Sequence, residues 1–210
     1  TADGLLTSTY RSAVAQDAKE VGLLDEFDVT FGEPFGGSFF SEPGDGRPLI
    51  RIRDLKTYES QVWTTEQRPR ETVVEAGDVV VGMDAEFRPT IWLGKPGLLN
   101  QRVCMFTHTQ FGNALVREAI RRPLEEVEKE KSATTVIHLN KSDLQRKTAM
   151  VPIGSAAKVF QREAEPVYET IVAVSLENRS LAATRDTLLP KLMSGELQVR
   201  DIEAVASGVL

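Results

Sequence analysis

The last quarter of the chain constrains its fold more than any other stretch. From Ser155 to about Leu192, the residues Phe160, Val167, Val174, Leu181 and Leu188 recur every seven positions, and Ala164, Ile171, Asn178, Arg185 and Leu192 follow each of them by four. That spacing is the seam of a coiled coil. A helix of this length, rising ~1.5 Å per residue, reaches roughly 55 Å, further than a small domain is wide. Part of its apolar stripe is therefore expected to outrun the cover that the preceding residues provide, and to need a second helix. Asn178 and Arg185 fall on the seam, where a buried polar residue fixes register or partner at a cost in stability. Pro166 is expected to kink the helix near its start. Pro190 is expected to end or bend it ahead of Gly195, which can supply a left-handed cap.

With 210 residues, 41% hydrophobic and 27% charged, the chain is long enough to bury a core and lacks the bias of a disordered protein. The pattern predicts an α+β fold: an N-terminal helical segment over 1–20, a small mixed β-rich domain with short helices over 21–154, the long helix over 155–195 and a tail over 196–210. In "RPLIRIRDL", Arg47–Leu55, apolar and charged residues alternate as in a half-buried strand with a basic outer face. A turn at Ala76-Gly77-Asp78 feeds the apolar strand "VVVG", and "TIWLGKPGLLNQRVCMFT" reads as two strands around Lys95-Pro96-Gly97. From Asn113 the period is helical, and Pro123 is placed to open a second helix with acids in its first turn. Residues 132–139 return as a strand, Ser142 and Gln145 have capping-box spacing, and residues 149–154 close the domain as an extended stretch.

Composition limits the chemistry. The net charge of -6 argues against a uniformly basic nucleic-acid coat, but the charges are segregated, with cations concentrated between Arg47 and Arg122 and acids over 125–130 and the C-terminal third. A single cysteine, Cys104, excludes an intrachain disulfide and a cysteine-built metal site, which fits a reducing cytoplasm. His108 and His138 lie thirty positions apart with no cysteine nearby and are assigned no role. No run approaches the ~20 apolar residues of a membrane span, and the first residues lack the pattern of a signal peptide. The absent initiator Met fits a processed chain or an excised fragment.

The closing segment "LAATRDTLLPKLMSGELQV", Leu181–Val199, resembles the end of the long helix in DNA-specificity (S) subunits of type I restriction-modification systems. Upstream, "PLIRIRDL", "EAGDVVVGMDAEF", "LLNQRVCMF", "HLNKSDLQRKTAMVPIG" and "EAEPVYETIVAVSLENRSL" resemble, in the same order, pieces of a target recognition domain and the helix after it. The resemblance covers residues 20 to 200. It implies a non-catalytic subunit whose recognition domain, over 21–154, reads one half of a split site in double-stranded DNA. It also implies that the helix acts as a spacer and docks methyltransferase subunits, in a system of DNA methylation and phage defence. The usual subunit has two such domains and two antiparallel helices, whereas this chain has one of each. It is therefore either a natural half subunit that dimerises or the C-terminal half of a full one, and both supply a second specificity half against the seam formed by Phe160, Val167, Ile171, Val174, Asn178, Leu181, Arg185, Leu188 and Leu192.

Reading DNA needs cations on phosphates and hydrogen-bonding side chains on base edges. The candidates are Arg51, Arg53 and Lys56 on the basic strand, Arg68 and Arg70 in the next loop, Arg88, Lys95, Gln101 with Arg102, and Asn140 with Lys141. No P-loop is present, "FGEPFGG" has the wrong spacing for an S-adenosylmethionine loop, and no catalytic residue, metal ligand or cofactor is assigned. Two other readings stay open: an assembly module that has lost DNA reading, and a metal-dependent nuclease built on the acid-x-Lys triplet Asp54-Leu55-Lys56 with Asp28 or Asp45.

Overall fold

In the computed structural model of the chain, residues 1–132 and 137–196 are described. The apolar run Val103–Thr107 is the strand around which the β-rich part is built, pairing antiparallel with Asp28–Phe31 on one side and Val79–Gly82 on the other. In chain order the elements are α1 (Ala2–Gln16), β1 (Ala18–Gly22), α2 (Leu23–Glu26), β2 (Asp28–Phe31), β3 (Phe40–Ser41), β4 (Arg47–Ile50), β5 (Trp63–Thr64) and β6 (Val73–Val74). They continue as β7 (Val79–Gly82), β8 (Thr90–Ile91), β9 (Gly97–Leu99), β10 (Val103–Thr107), α3 (Asn113–Lys131), α4 (Lys141–Gln145), β11 (Thr148–Pro152) and α5 (Gly154–Met193). One sheet has the order β2-β10-β7-β8, a second has β3-β5-β4-β9-β6 with β4 and β9 parallel, and β1 pairs with β11. The α+β class expected from the sequence is the one observed.

Alternation along β7 explains why "VVVG" is apolar on both faces. Val79 and Val81 enter a cluster with Leu6, Phe27, Phe106, Leu115, Ile120 and Phe160, whereas Val80 joins Ile50, Val74, Trp92, Leu99 and Val103 on the other side. Successive side chains of a strand point to opposite faces, so a strand between two cores must be apolar throughout. The two larger sheets meet where chain passes between them. Gly32 N–H donates to Val103 O at 3.1 Å, Glu33 N–H to Leu99 O at 3.2 Å, and Gln101 N–H to Glu33 O at 3.0 Å. A Cβ on Gly32 would stand 2.2 Å from the Asn100 carbonyl oxygen.

Several local expectations change. "RPLIRIRDL" is not one strand. Asp54 accepts the Arg51 N–H at 3.0 Å and turns the chain into a 3₁₀ turn over Ile52–Leu55, so Arg51, Arg53 and Lys56 do not share a strand face. "TIWLGKPGLLNQRVCMFT" holds three short strands, β8, β9 and β10, because the segments flanking Lys95 pair in different sheets. Pro123 lies inside α3 rather than opening a helix; its buried ring packs with the helix's inner face, and continuity costs one ladder hydrogen bond. The cap of α4 is Asn140, whose N–H donates to Asp143 at 2.8 Å, not Ser142. Within the strand expected over 132–139, residues 133–136 lie outside the described residues and His138 forms an isolated bridge with Asp84.

The chain divides into one unit over Thr1–Val172 and another over Ala173–Leu210. The opening helix belongs to the first: Leu6 and Ala13 are buried, and Arg117 on α3 binds both Asp3 and the buried Glu118. The first turns of α5 belong there too, with Ala156, Ala157, Phe160, Ala164 and Tyr168 buried and Val167, Ile171 and Val172 packed partly against the same core. Phe160 is thus spent inside its own domain and is not free for a partner helix. Within the second unit no described residue is buried; Val174 is 48% and Leu181 59% exposed, Asn178 and Arg185 are exposed, and Leu188 and Leu192 half-exposed. The helix is continuous through Pro166 and Pro190, and ends at Met193, where Gly195 takes φ +75°. Nearly all of the expected tail, residues 197–210, lies outside the described residues. Among the described residues no helix is long and apolar enough to cross a membrane.

Gly32→Ala is expected to destabilise the fold by about 1–3 kcal/mol or more, the cost of overpacking against backbone that cannot retreat. Gly37→Ala, where nothing lies within 4 Å, is the control and should leave the urea midpoint nearly unchanged.

Candidate nucleic-acid interface

Three chain segments are stitched together at the end of β7. Met83 N–H donates to Arg102 O at 2.9 Å, Leu139 N–H to Met83 O at 2.8 Å, and Ala85 N–H to Ile137 O at 3.3 Å. The arrangement brings Asp84, Arg102 and His138 into one cluster. Asp84 Oδ1 accepts from Arg102 Nη1 at 3.2 Å and lies 2.6 Å from His138 Nδ1. Lys56 and Arg88 line a shallow pocket of about 280 Å³ that Asp84 shares, with Arg88 Nε 3.7 Å from Glu86. Asn140 and Lys141, both exposed, follow His138 after the buried Leu139.

The remaining candidates are distributed along the same stitching or away from it. Gln101, exposed beside Arg102, hydrogen-bonds through its N–H to Glu33 O, and the Glu33 carboxylate lies 4.0 Å from Arg70, whose side chain is 91% exposed. Arg51 is half-buried and turns back to Asp54 at 3.3 Å. Arg68 binds Glu66 at 2.8 Å and gives its N–H to Glu71, which also takes a two-pronged contact from Arg47. Lys95 sits in a separate turn, where its carbonyl accepts Trp92 Nε1 at 2.9 Å. Arg53, Lys56, Lys95 and Lys141 are exposed and make no ion pair among the described residues. These are charges available to an anionic partner, whereas Arg47 and Arg68 are committed to carboxylates.

Asp84 and His138 were not legible as site residues, because 54 positions separate them and only the fold pairs them. His108, by contrast, is structural: its Nδ1 accepts the N–H groups of Gln110 and Phe111 at 2.9 and 3.0 Å, closing the loop before α3. Asp54, the acid of the acid-x-Lys triplet, is fully buried and caps its own turn. Asp28 lies on β2 and Asp45 in the turn before β4, and among the described residues no three His, Cys, Asp or Glu side chains gather as a metal site. Cys104 is buried, which pushes its thiol up to about 12 and leaves it inert.

A mixed domain followed directly by a 40-residue helix is also the fold to which solved specificity subunits of type I restriction systems superpose. The HsdS subunit from Thermoanaerobacter tengcongensis superposes with a TM-score of 0.54 over 93% of this chain and 53% of that one, at 16% identity. The S subunit from M. genitalium does so with 0.55 over 90% and 49%, at 14% identity. In sequence, the EcoBI specificity subunit of Escherichia coli is 29% identical over 187 residues, 86% of this chain and 40% of that protein. The HindI specificity subunit of Haemophilus influenzae is 25% identical over 174 residues, 73% of this chain and 36% of that protein. No protein-family profile matches. The chain is a relative of type I restriction enzyme specificity subunits and spans about 40% of the length of the first of these.

The Arg47 hydrogen bonds hold the Glu71 carboxyl at about 2, against 4.5 when unpaired. A depressed carboxylate stabilises the fold fully above its unfolded value and loses that contribution as pH falls toward the folded one. Glu71→Gln should therefore be less stable than the parent at pH 6, with the difference closing between about pH 4.5 and 2 in urea titrations.

Proposed function

We propose that the chain is a sequence-specific DNA-binding specificity element, without catalysis of its own, that reads one half of a bipartite site and presents a helix to partner subunits. The observation that carries the reading is a sequence relationship to type I specificity subunits that runs through both the domain and the helix, 187 residues in all. The cluster at Arg102, with Lys56, Arg88, Gln101, Asn140, Lys141 and the exposed Arg70, supplies the two kinds of contact that reading requires. Arg53 and Lys95 add charge for phosphates; Arg51 and Arg68 are held by acids and serve the loops instead. The uncovered turns beyond Val172 supply the seam for a second specificity half, a second copy of this chain or the other half of a longer subunit. Methyltransferase subunits dock on the paired helices, and the chemistry is theirs.

A second reading, an assembly module without DNA reading, draws on the net charge of -6 and on the ion pairing of Arg51, Arg68 and Arg102. Titration of duplex DNA at a series of salt concentrations separates the two. A DNA reader binds with log affinity falling linearly in log salt, and Lys56→Ala and Lys141→Ala each lower that slope by about one while leaving base preference intact. An assembly module binds no duplex. For the helix, light scattering should find the chain dimeric, and Val174→Asp with Leu181→Asp should make it monomeric with unchanged circular dichroism. A monomeric parent chain would count against self-pairing.

A further inference from the structure

Arg102 differs from the exposed Arg53, Lys56, Lys95 and Lys141 in being held by a carboxylate. Its Nη1 is tied to Asp84, whose backbone is fixed by the bridge to His138 and by the bonds that flank it at Met83 and Ala85. Ala85 takes φ +68°, so the chain turns sharply just after the carboxylate. The separation of 2.6 Å between His138 Nδ1 and Asp84 Oδ1 requires a proton between them, and the carboxylate is the acceptor. His138 Nδ1 is then a donor, and its 3.2 Å approach to Arg102 Nη1 is a contact between two donors that share one oxygen. Asp84 is thus loaded from both sides and cannot rotate without losing both bonds.

That arrangement has opposite effects on the two ways an arginine can meet DNA. Pairing with a carboxylate offsets the guanidinium's charge and weakens the non-directional attraction to phosphate. It also fixes the plane of the fork in advance, which removes side-chain entropy that a directional, two-pronged contact would otherwise cost. With Nη1 engaged, Nε and Nη2 have no partner among the described residues, and the side chain is 54% exposed. Two parallel N–H groups on a fixed plane match the O6 and N7 acceptors of guanine in the major groove. We infer that Asp84 and His138 are positioning residues that aim Arg102 at a guanine edge, while Lys56 and Lys141 beside them meet the phosphates. This rests on the DNA-reading function proposed above.

The test is selection of a site from a randomised duplex pool by the full chain, followed by titrations on the selected duplex. A guanine should be required at one position, and replacing it with 7-deazaguanine should weaken binding by about tenfold or more, as for loss of a bidentate pair. Arg102→Ala should lose discrimination at that position alone. Asp84→Asn and His138→Gln should erode the same discrimination toward the Arg102→Ala level, with affinity for unselected duplex unchanged or raised and the melting temperature retained. A merely structural role would instead weaken all duplexes alike. Variants of Asp84 and His138 that keep the guanine preference, or indifference to 7-deazaguanine, would overturn the positioning role while leaving DNA reading intact. A parent chain that selects no sequence overturns both.

Discussion

The close passage of backbone past backbone at Gly32 is the constraint on which the arrangement of the domain depends. Residues 31–33 leave one sheet as residues 99–103 enter it from the other, and the two segments exchange three hydrogen bonds across a gap in which a methyl group has no room. Because the sheets share this junction, their relative placement is set by main-chain bonds as well as by side-chain packing. The turn Asn100–Arg102 sits in that junction, so Gln101 and Arg102 are mounted on hydrogen-bonded backbone rather than on a free loop. Sites carried by such elements hold their geometry better than sites on loops whose ends are the only anchor.

The helix shows how one periodic stripe can serve two purposes. A seam repeating every 3.5 residues drifts against a helix of 3.6, and in the first turns the buried line follows Ala157, Phe160, Ala164 and Tyr168. Val167, the seam residue, is only partly covered, and Tyr168 takes the inner position because its hydroxyl donates to the Gly77 carbonyl at 2.6 Å. Beyond Val172 the stripe continues, but Val174 and Leu181 are about half exposed. An isolated helix gains little from propensity alone and draws its stability from packing, so this outer stretch is the part with most to gain from a partner.

How much could be read in advance follows from what kind of signal each feature carries. The long helix was legible because its signal is periodic over dozens of residues, and "VVVG" because a strand between two cores is apolar at every position. Pro123 misled because proline is both a helix opener and a tolerated interior residue, and only burial of its ring on the core decides between them. "RIRD" misled because the alternation of a strand and the cap of a 3₁₀ turn use the same residues, and the Arg51–Asp54 bond decides. Arg102 could be nominated from its charge and its place after "LLN". Asp84 and His138 could not, since the contact that gives them a purpose is made by chain reversal across the sheet.

Strand β7 links these parts mechanically. At its start, the Gly77 carbonyl accepts from both Tyr168 on α5 and Asn113 Nδ2 at the head of α3, at 2.6 and 2.9 Å. At its end, Met83 and Asp84 carry the backbone and side-chain bonds to Arg102, His138 and Leu139. The four-residue strand Val79–Gly82 therefore lies between the contact with Tyr168 of α5 and the cluster on Arg102. Between those ends β7 is paired along its length with β10 and at Val79 and Val80 with β8, and is buried on both faces. It cannot bend or slip without breaking a ladder and opening two cores at once, because a slip of one residue would exchange Val80 with Val79 and Val81 between them.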